Sequence, residues 1–345
     1  MYFLIQNVLV IIILVQSITN NRIERIGYMK LYKALISTAV GLAITQLSFA
    51  QTQITYKSAK TSSSYYQMAV EISQAVKKDT DSGIIVTVEE SQGSVQNVME
   101  SAFRGANYVF TTPPALVSLA QNGKAMFKNK SNPKFDEIRA LFPIPSLAMH
   151  FVVSDKSGIN SFAEMEGKKI LLGKGTFGAN EGAKYIKLFG LEDKIDLAQV
   201  ELSNAVPALK NGQIDGFVTS GSFPAPNVIE AAAGSKVKIL SLSDEQVAQS
   251  KRTKLIIPAG TYAGQDSDIT TTSLPVVAYT STAMDDTTAY TLTKAFWRQK
   301  QLMSDTSPWW GGVSTEMLSN ISGKIHPGAV KYYREIGVTL NANHQ

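Results

Sequence analysis

The chain has 345 residues, 44% of them hydrophobic and 18% charged, with a formal net charge of +5. That is a globular composition with length enough for two domains. Arg22, Arg25, Lys30 and Lys33 against Glu24 supply much of the charge before residue 51, so the remainder carries no nucleic-acid footprint. No cysteine is present, which excludes a disulfide framework, a thiol nucleophile and lipid attachment through cysteine.

Two apolar runs precede residue 51. The second follows Met29-Lys30 and closes on Ser48-Phe49-Ala50, with small residues at −3 and −1 of a cleavage point before Gln51. This pattern predicts a secretory signal peptide over 29–50 and export to the periplasm. The first run, Val8 to Val15, is short for a bilayer span and has no basic residue before it. Translation is therefore expected to begin at Met29, with 1–28 a start-site extension; an N-terminal membrane anchor is the alternative.

The exported part opens with a strand at Ile54-Thr55-Tyr56, a loop over 57–64 that is polar but for Ala59, and a helix from Tyr65 marked by Met68, Ile72, Ala75 and Val76. A helix start has unpaired N–H groups and a partial positive charge, so this arrangement can receive an anionic or strongly polar ligand. The plain alternative is a solvated loop that supplies an N-cap. A strand at Ile84–Val88 leads through a loop with Ser91 and Ser94 to a helix. Tyr108-Val109-Phe110 is a strand with the exit Thr111-Thr112-Pro113-Pro114. The segment from Lys124 to Asp136 reads as a polar surface excursion.

Ile138–Leu141 and Met149–Val153 read as two strand pieces. Pro143 and Pro145 stand between them, and two such prolines argue against a central strand. This stretch is expected to be the crossing between lobes, with a return near Ser273–Tyr279. Lobe 1 is then 51–143 with 279–345, and lobe 2 is 144–278. Lobe 2 reads as a capped helix at Ser161–Gly167, a strand at Ile170–Leu172, the loop Gly173–Gly178 and a helix from Ala179. Strands follow at Val200–Leu202 and Ile214–Val218, the latter with the exit Thr219-Ser220-Gly221-Ser222-Phe223-Pro224. Alternating strands and helices predict an α/β fold with mostly parallel sheets in each lobe.

Ligands of such sheets bind beyond the carboxyl ends of the strands. The loops 57–64, 91–94, 111–114, 173–178 and 219–224 all lie at that edge. The candidate ligand-binding residues are therefore Lys60, Thr61, Ser62, Ser63, Ser64 and Tyr65 in the first loop, with Ser94, Thr111 and Thr112 beside them. From lobe 2 come Thr176, Phe177, Gly178 and Ala179, and Ser220, Gly221, Ser222 and Phe223. Lys60 and Lys174 are the cationic candidates. Of Tyr65 and Tyr66, one is expected to pack under the loop and the other to reach the cleft.

Catalytic readings are weaker. Gly173-x-Gly175-x-x-Gly178 fits a dinucleotide fingerprint, with Glu201 as the ribose-binding acid at the end of the next strand, so a nicotinamide-dependent oxidoreductase is a minor alternative. No Gly-x-Ser-x-Gly elbow surrounds the serines. His150, His326 and His344 are scattered, and no cluster has metal spacing. The reading is a binding protein with no catalytic residue, no metal and no cofactor.

Five segments carry a resemblance to a known family. They are Gln92-Gly93-Ser94-Val95-Gln96-Asn97, Asn211 to Gly216, Pro224-Ala225-Pro226, Ile257-Pro258-Ala259-Gly260-Thr261-Tyr262-Ala263-Gly264-Gln265-Asp266 and His326 to Arg334. With them the chain resembles, from about Ile54 to Val338, the TAXI solute-binding proteins, the extracytoplasmic receptors of one class of TRAP transporters. The resemblance implies a two-lobed type II periplasmic binding-protein fold, closing on glutamate, glutamine or a dicarboxylate. It implies a monomer whose partners are a small organic anion or amino acid and the small and large TRAP membrane subunits, separate or fused. A receptor for an ABC importer would look alike. The chain departs from the family in its pocket loops: serines replace glycines at 58–64, and Lys174 and Phe177 are additions.

Overall fold

The computed structural model describes residues 51–174 and 176–345. The signal peptide and start-site readings lie outside the described residues. Among those described, no helix is long and apolar enough to cross a membrane.

The first segment folds as β1 (Thr52–Lys57), α1 (Ser64–Lys78), β2 (Ile84–Glu89), α2 (Ser94–Ser101), β3 (Tyr108–Thr112) and α3 (Pro114–Gln121). Strand β1 lies between β2 and β3 and is parallel to both. Helix α1 forms because its apolar residues return every three or four positions, burying Met68, Ile72 and Val76. The Ser63 side chain caps it by accepting from the Tyr65 N–H. Residues 124–136 are less of an excursion than their polarity suggests. Phe127 and Phe135 in this stretch are buried and meet edge to face, with centroids 6.2 Å apart. Two aromatics contributing about 1.5–3 kcal/mol each on burial outweigh the surrounding lysines, which need only keep their charges in water.

One long strand, β4 (Ile138–Ser154), replaces the two expected pieces. Pro143 and Pro145 lie inside it, contrary to the reading that they must interrupt it. From Ile138 to Leu147, β4 pairs with β10 (Ile269–Ser281) on one side. Among the described residues, its other side makes only the single bridge Ala140–Ile325 there, and β7 joins from Ala148 onward. Pro145 falls where the register with β10 shifts between Leu274 and Val276. An irregular, half-edge stretch can lose an N–H without breaking the ladder.

The other lobe contains β5 (Lys169–Leu171), α4 (Phe177–Leu188), β6 (Asp196–Ala198), α5 (Ala205–Lys210), β7 (Gly216–Gly221), α6 (Pro226–Gly234), β8 (Val237–Ile239), α7 (Asp244–Ser250) and β9 (Thr253–Ile257). Several boundaries differ from expectation. The strand expected at Val200–Leu202 is β6, a few residues earlier, and Leu202–Asn204 is a 3₁₀ turn. The helix expected at Ser161–Gly167 is only the 3₁₀ turn Ala163–Met165. Strand β7 starts later than expected and takes in Thr219, Ser220 and Gly221. The chain then returns through β10 to α8 (Asp286–Thr306) and α9 (Pro327–Glu335) against the first lobe.

The main strand order is β2-β1-β3-β10-β4-β7-β5-β6, with β8 on β4 and β9 on β10. The strands that feed helices, β1 to β3 and β5 to β7, pair in parallel. The antiparallel pairs all involve β4 or β10, the two strands that run through both lobes. This is a two-lobed α/β fold. One apolar cluster runs from the first lobe onto one face of the second, through Phe151, Ile170 and Val218. A smaller cluster lies on the opposite face, around Val152, Leu171 and Phe217. Adjacent residues of a strand enter different cores, as the pleat requires.

Candidate ligand-binding cleft

Strand register locates the cleft. Thr112 at the carboxyl end of β3 sits opposite Val277 of β10, and Phe110 opposite Tyr279. Gly221 at the carboxyl end of β7 sits opposite Ala148 of β4, and Gly216 opposite Val153. The middle of β4 and β10, around Ile144–Leu147 and Leu274–Val276, lies between these ends. Both sets of parallel strands thus point their carboxyl ends at the crossing, from opposite sides.

Contacts there join three of the expected loops. The Ser64 hydroxyl, at the start of α1, accepts a hydrogen bond of 2.9 Å from the Ser222 N–H after β7. A Cβ added to Gly221 would stand 2.8 Å from the Ser64 Oγ, and one added to Gly178, in the first turn of α4, would overlap the Ser220 Oγ. Ser64, Gly178, Ser220, Gly221 and Ser222 therefore form one neighbourhood drawn from both lobes. The crossing strand belongs to it: the Ser222 hydroxyl donates to the Ser146 carbonyl at 2.7 Å, and the Tyr65 hydroxyl to the Pro145 carbonyl at 3.0 Å.

The other candidates take different places. Tyr65 is buried, its phenol pushed well above the usual range by burial; it is the tyrosine that packs beneath the loop, while Tyr66 is half-buried. Ser63 and Thr176 are N-caps, Thr176 accepting from the Ala179 N–H at 2.9 Å. Ser62, Ser94, Ala179 and Phe223 are half-buried, and Phe177 is buried. Lys60 and Thr61 both turn to Glu90, the lysine Nζ at 3.7 Å and the threonine N–H at 3.4 Å from its carboxylate. That cation is therefore already faced by an anion. Lys174 is exposed. The Thr111 hydroxyl donates to Tyr56 at 3.0 Å and points into the first lobe. The Thr112 hydroxyl is buried without a partner. Glu201, read as a strand-end acid, precedes a 3₁₀ turn instead, so the dinucleotide pattern loses the strand that would carry its ribose contact.

Several residues that position the site were given no role by sequence reasoning. Asn97 is fully buried, and its amide donates to the Ser58 and Thr111 carbonyls at 2.7 and 2.9 Å. It ties the exits of β1 and β3 together. Beside it, Lys57 is buried and bonds Glu89 at 3.0 Å and Glu100 at 2.8 Å, with Arg104 bridging the same two acids. Burial works against ionisation of Glu89 and Glu100, but the hydrogen bonds from Lys57 and Arg104 outweigh it and hold both below the usual carboxylate range. The four charges cancel, so the cluster braces the first lobe without adding net field at the cleft. In the other lobe the Tyr262 hydroxyl accepts the Ala225 N–H at 2.9 Å and meets His150 Nε2 at 2.8 Å. Asn97 and Tyr262 both lie in segments that carried the family resemblance, which was the one available signal.

The arrangement presents hydroxyls, backbone N–H groups and helix starts, the groups that bind a polar or anionic solute. Among the described residues, no group of His, Asp and Glu side chains is placed to hold a metal ion. Among the solved structures that share the fold are the following two. A structure titled as periplasmic binding protein BugD is 10% identical, with a TM-score of 0.55 over 84% of this chain and 98% of that one. A structure titled as a periplasmic transporter is 11% identical, with a TM-score of 0.52 over 84% of this chain and 94% of that one. A family model described as the NMT1-like family matches residues 57–337, and the chain belongs to that family.

Proposed function

We propose that the protein is a periplasmic receptor that captures a small organic anion between its lobes and delivers it to TRAP membrane subunits. The glutamate, glutamine or dicarboxylate class and the TRAP partner rest on the TAXI resemblance. The observation that carries the binding reading is the convergence of α1 and α4 starts with the β7 exit, seen in the contacts of Ser64 with Ser222 and of Gly178 with Ser220. Helix N-termini favour anions through their free N–H groups and dipoles.

An anionic head group is therefore expected between Thr61–Tyr65 and Thr176–Ala179. Leaving a buried donor unpaired costs about 1–3 kcal/mol, so an amide or ester analogue should bind roughly ten- to a hundredfold more weakly. Lys60 faces Glu90 at the rim, and Lys60→Ala should cost under about 1 kcal/mol. Calorimetry against mono- and dicarboxylates, their amides and neutral sugars tests this. Tight sugar binding with no response to carboxylates would overturn the ligand class.

A further inference from the structure

We infer that the segment Ser220–Ala225 is a plate on which the first lobe clasps the second, with Ser64 as the inner catch and Trp309 as the outer one. The inference gives a device to the two-lobed capture read above and rests on that reading for its purpose.

The plate is fixed to its own lobe. Its Ala225 N–H is held by Tyr262, which is held by His150, and the Asn227 amide just beyond it donates to the Thr219 hydroxyl at 3.0 Å. The first lobe reaches it at two separated points. The Ser64 hydroxyl accepts from the Ser222 N–H, and the Trp309 indole N–H donates to the Pro224 carbonyl at 3.0 Å. Trp309 is itself anchored through its neighbour. Trp310 is fully buried, lies edge-on to Phe296 of α8 at 6.0 Å, and bonds the Glu71 carboxylate of α1. Near the outer catch runs a groove of about 380 Å³ lined by both lobes, with Gln67, Glu71 and Trp309 on one side and Pro226 and Ile229 on the other. Away from the crossing strands, the hydrogen bonds between described residues of the two lobes are those of the two catches, so opening need break few of them.

Gly221 shows that the inner catch sets a steric limit. Its lack of a side chain answers to the other lobe, since the nearest atom to an added Cβ is the Ser64 Oγ at 2.8 Å. An alanine there displaces the Ser64 hydroxyl from the Ser222 N–H and so breaks the inner catch.

The test needs no solute. Small-angle scattering should give Gly221→Ala a larger radius of gyration than the wild type. Trp309→Phe keeps most of the ring but loses the N–H donor, and it should open the molecule as well. In Gly221→Ala, acrylamide should quench Trp309 more strongly, read against Trp309→Phe as the blank for Trp297 and Trp310. Circular dichroism checks that each variant folds; if Gly221→Ala does not, Ser64→Ala takes its place. Wild-type dimensions and wild-type quenching in the folded variants would overturn the clasp. Variants that open, in a protein that ignores every carboxylate, would retire the ligand class and leave the clasp standing.

Discussion

His150 is fully buried in β4, and its Nε2 lies 2.8 Å from the Tyr262 hydroxyl, which accepts from Ala225. Burial pushes its pKa down to about 4, so the ring is neutral at neutral pH. An unfolded histidine titrates near 6.5, so between these values the unfolded chain binds a proton that the folded one refuses. Stability should fall as pH drops from about 6.5 to about 4, by up to about 1.4 kcal/mol per pH unit. Below about 4 this group adds no further dependence. His150→Gln should lose that slope relative to the wild type, whatever it does to stability at pH 7. Melting temperatures by circular dichroism from pH 4 to 7 measure it; parallel profiles would mean that His150 takes up its proton in the folded state. His326 is also held low by burial, so the difference between the two proteins is the quantity to read. The sequence offered His150 only as one of three scattered histidines, because its partner lies more than a hundred positions away.

Among the elements, α2 matters less for its length than for one side chain. Asn97 joins the β1 and β3 exits, which no local pattern connects. Asn97→Ala would strip the Thr111 carbonyl of its side-chain donor, while Ser58 keeps the Ser91 hydroxyl at 3.0 Å. A loss of about 1–3 kcal/mol is expected for the buried group left unpaired, read as a lower urea midpoint; a change within error would show that the two exits hold without it. Helices α1 and α4 were legible because periodicity and hydroxyl caps are local signals. Strand β4 was not, because proline rules assume partners on both sides and its first half is paired mainly on one. Likewise β6 and the turn at Leu202 were misread, since a short apolar run does not announce its partner.

For the whole molecule, the two crossing strands β4 and β10 permit hinge motion, and the clasp biases it. A carboxylate found by calorimetry should therefore contract Gly221→Ala measurably in scattering and the wild type less. No contraction in either would mean that binding does not draw the lobes together. Apolar periodicity, the polar strand exits and the length between them determined a two-lobed α/β chain with its candidate site at the carboxyl ends of its strands, because those signals are written within a few residues of each other. The tertiary structure alone decided that Ser64 meets Ser222 across 158 positions, that Lys60 faces Glu90, and that Tyr262 supports Ala225. Each of these depends on where strands distant in the chain stop against the crossing, and that is set by register and packing of the whole sheet.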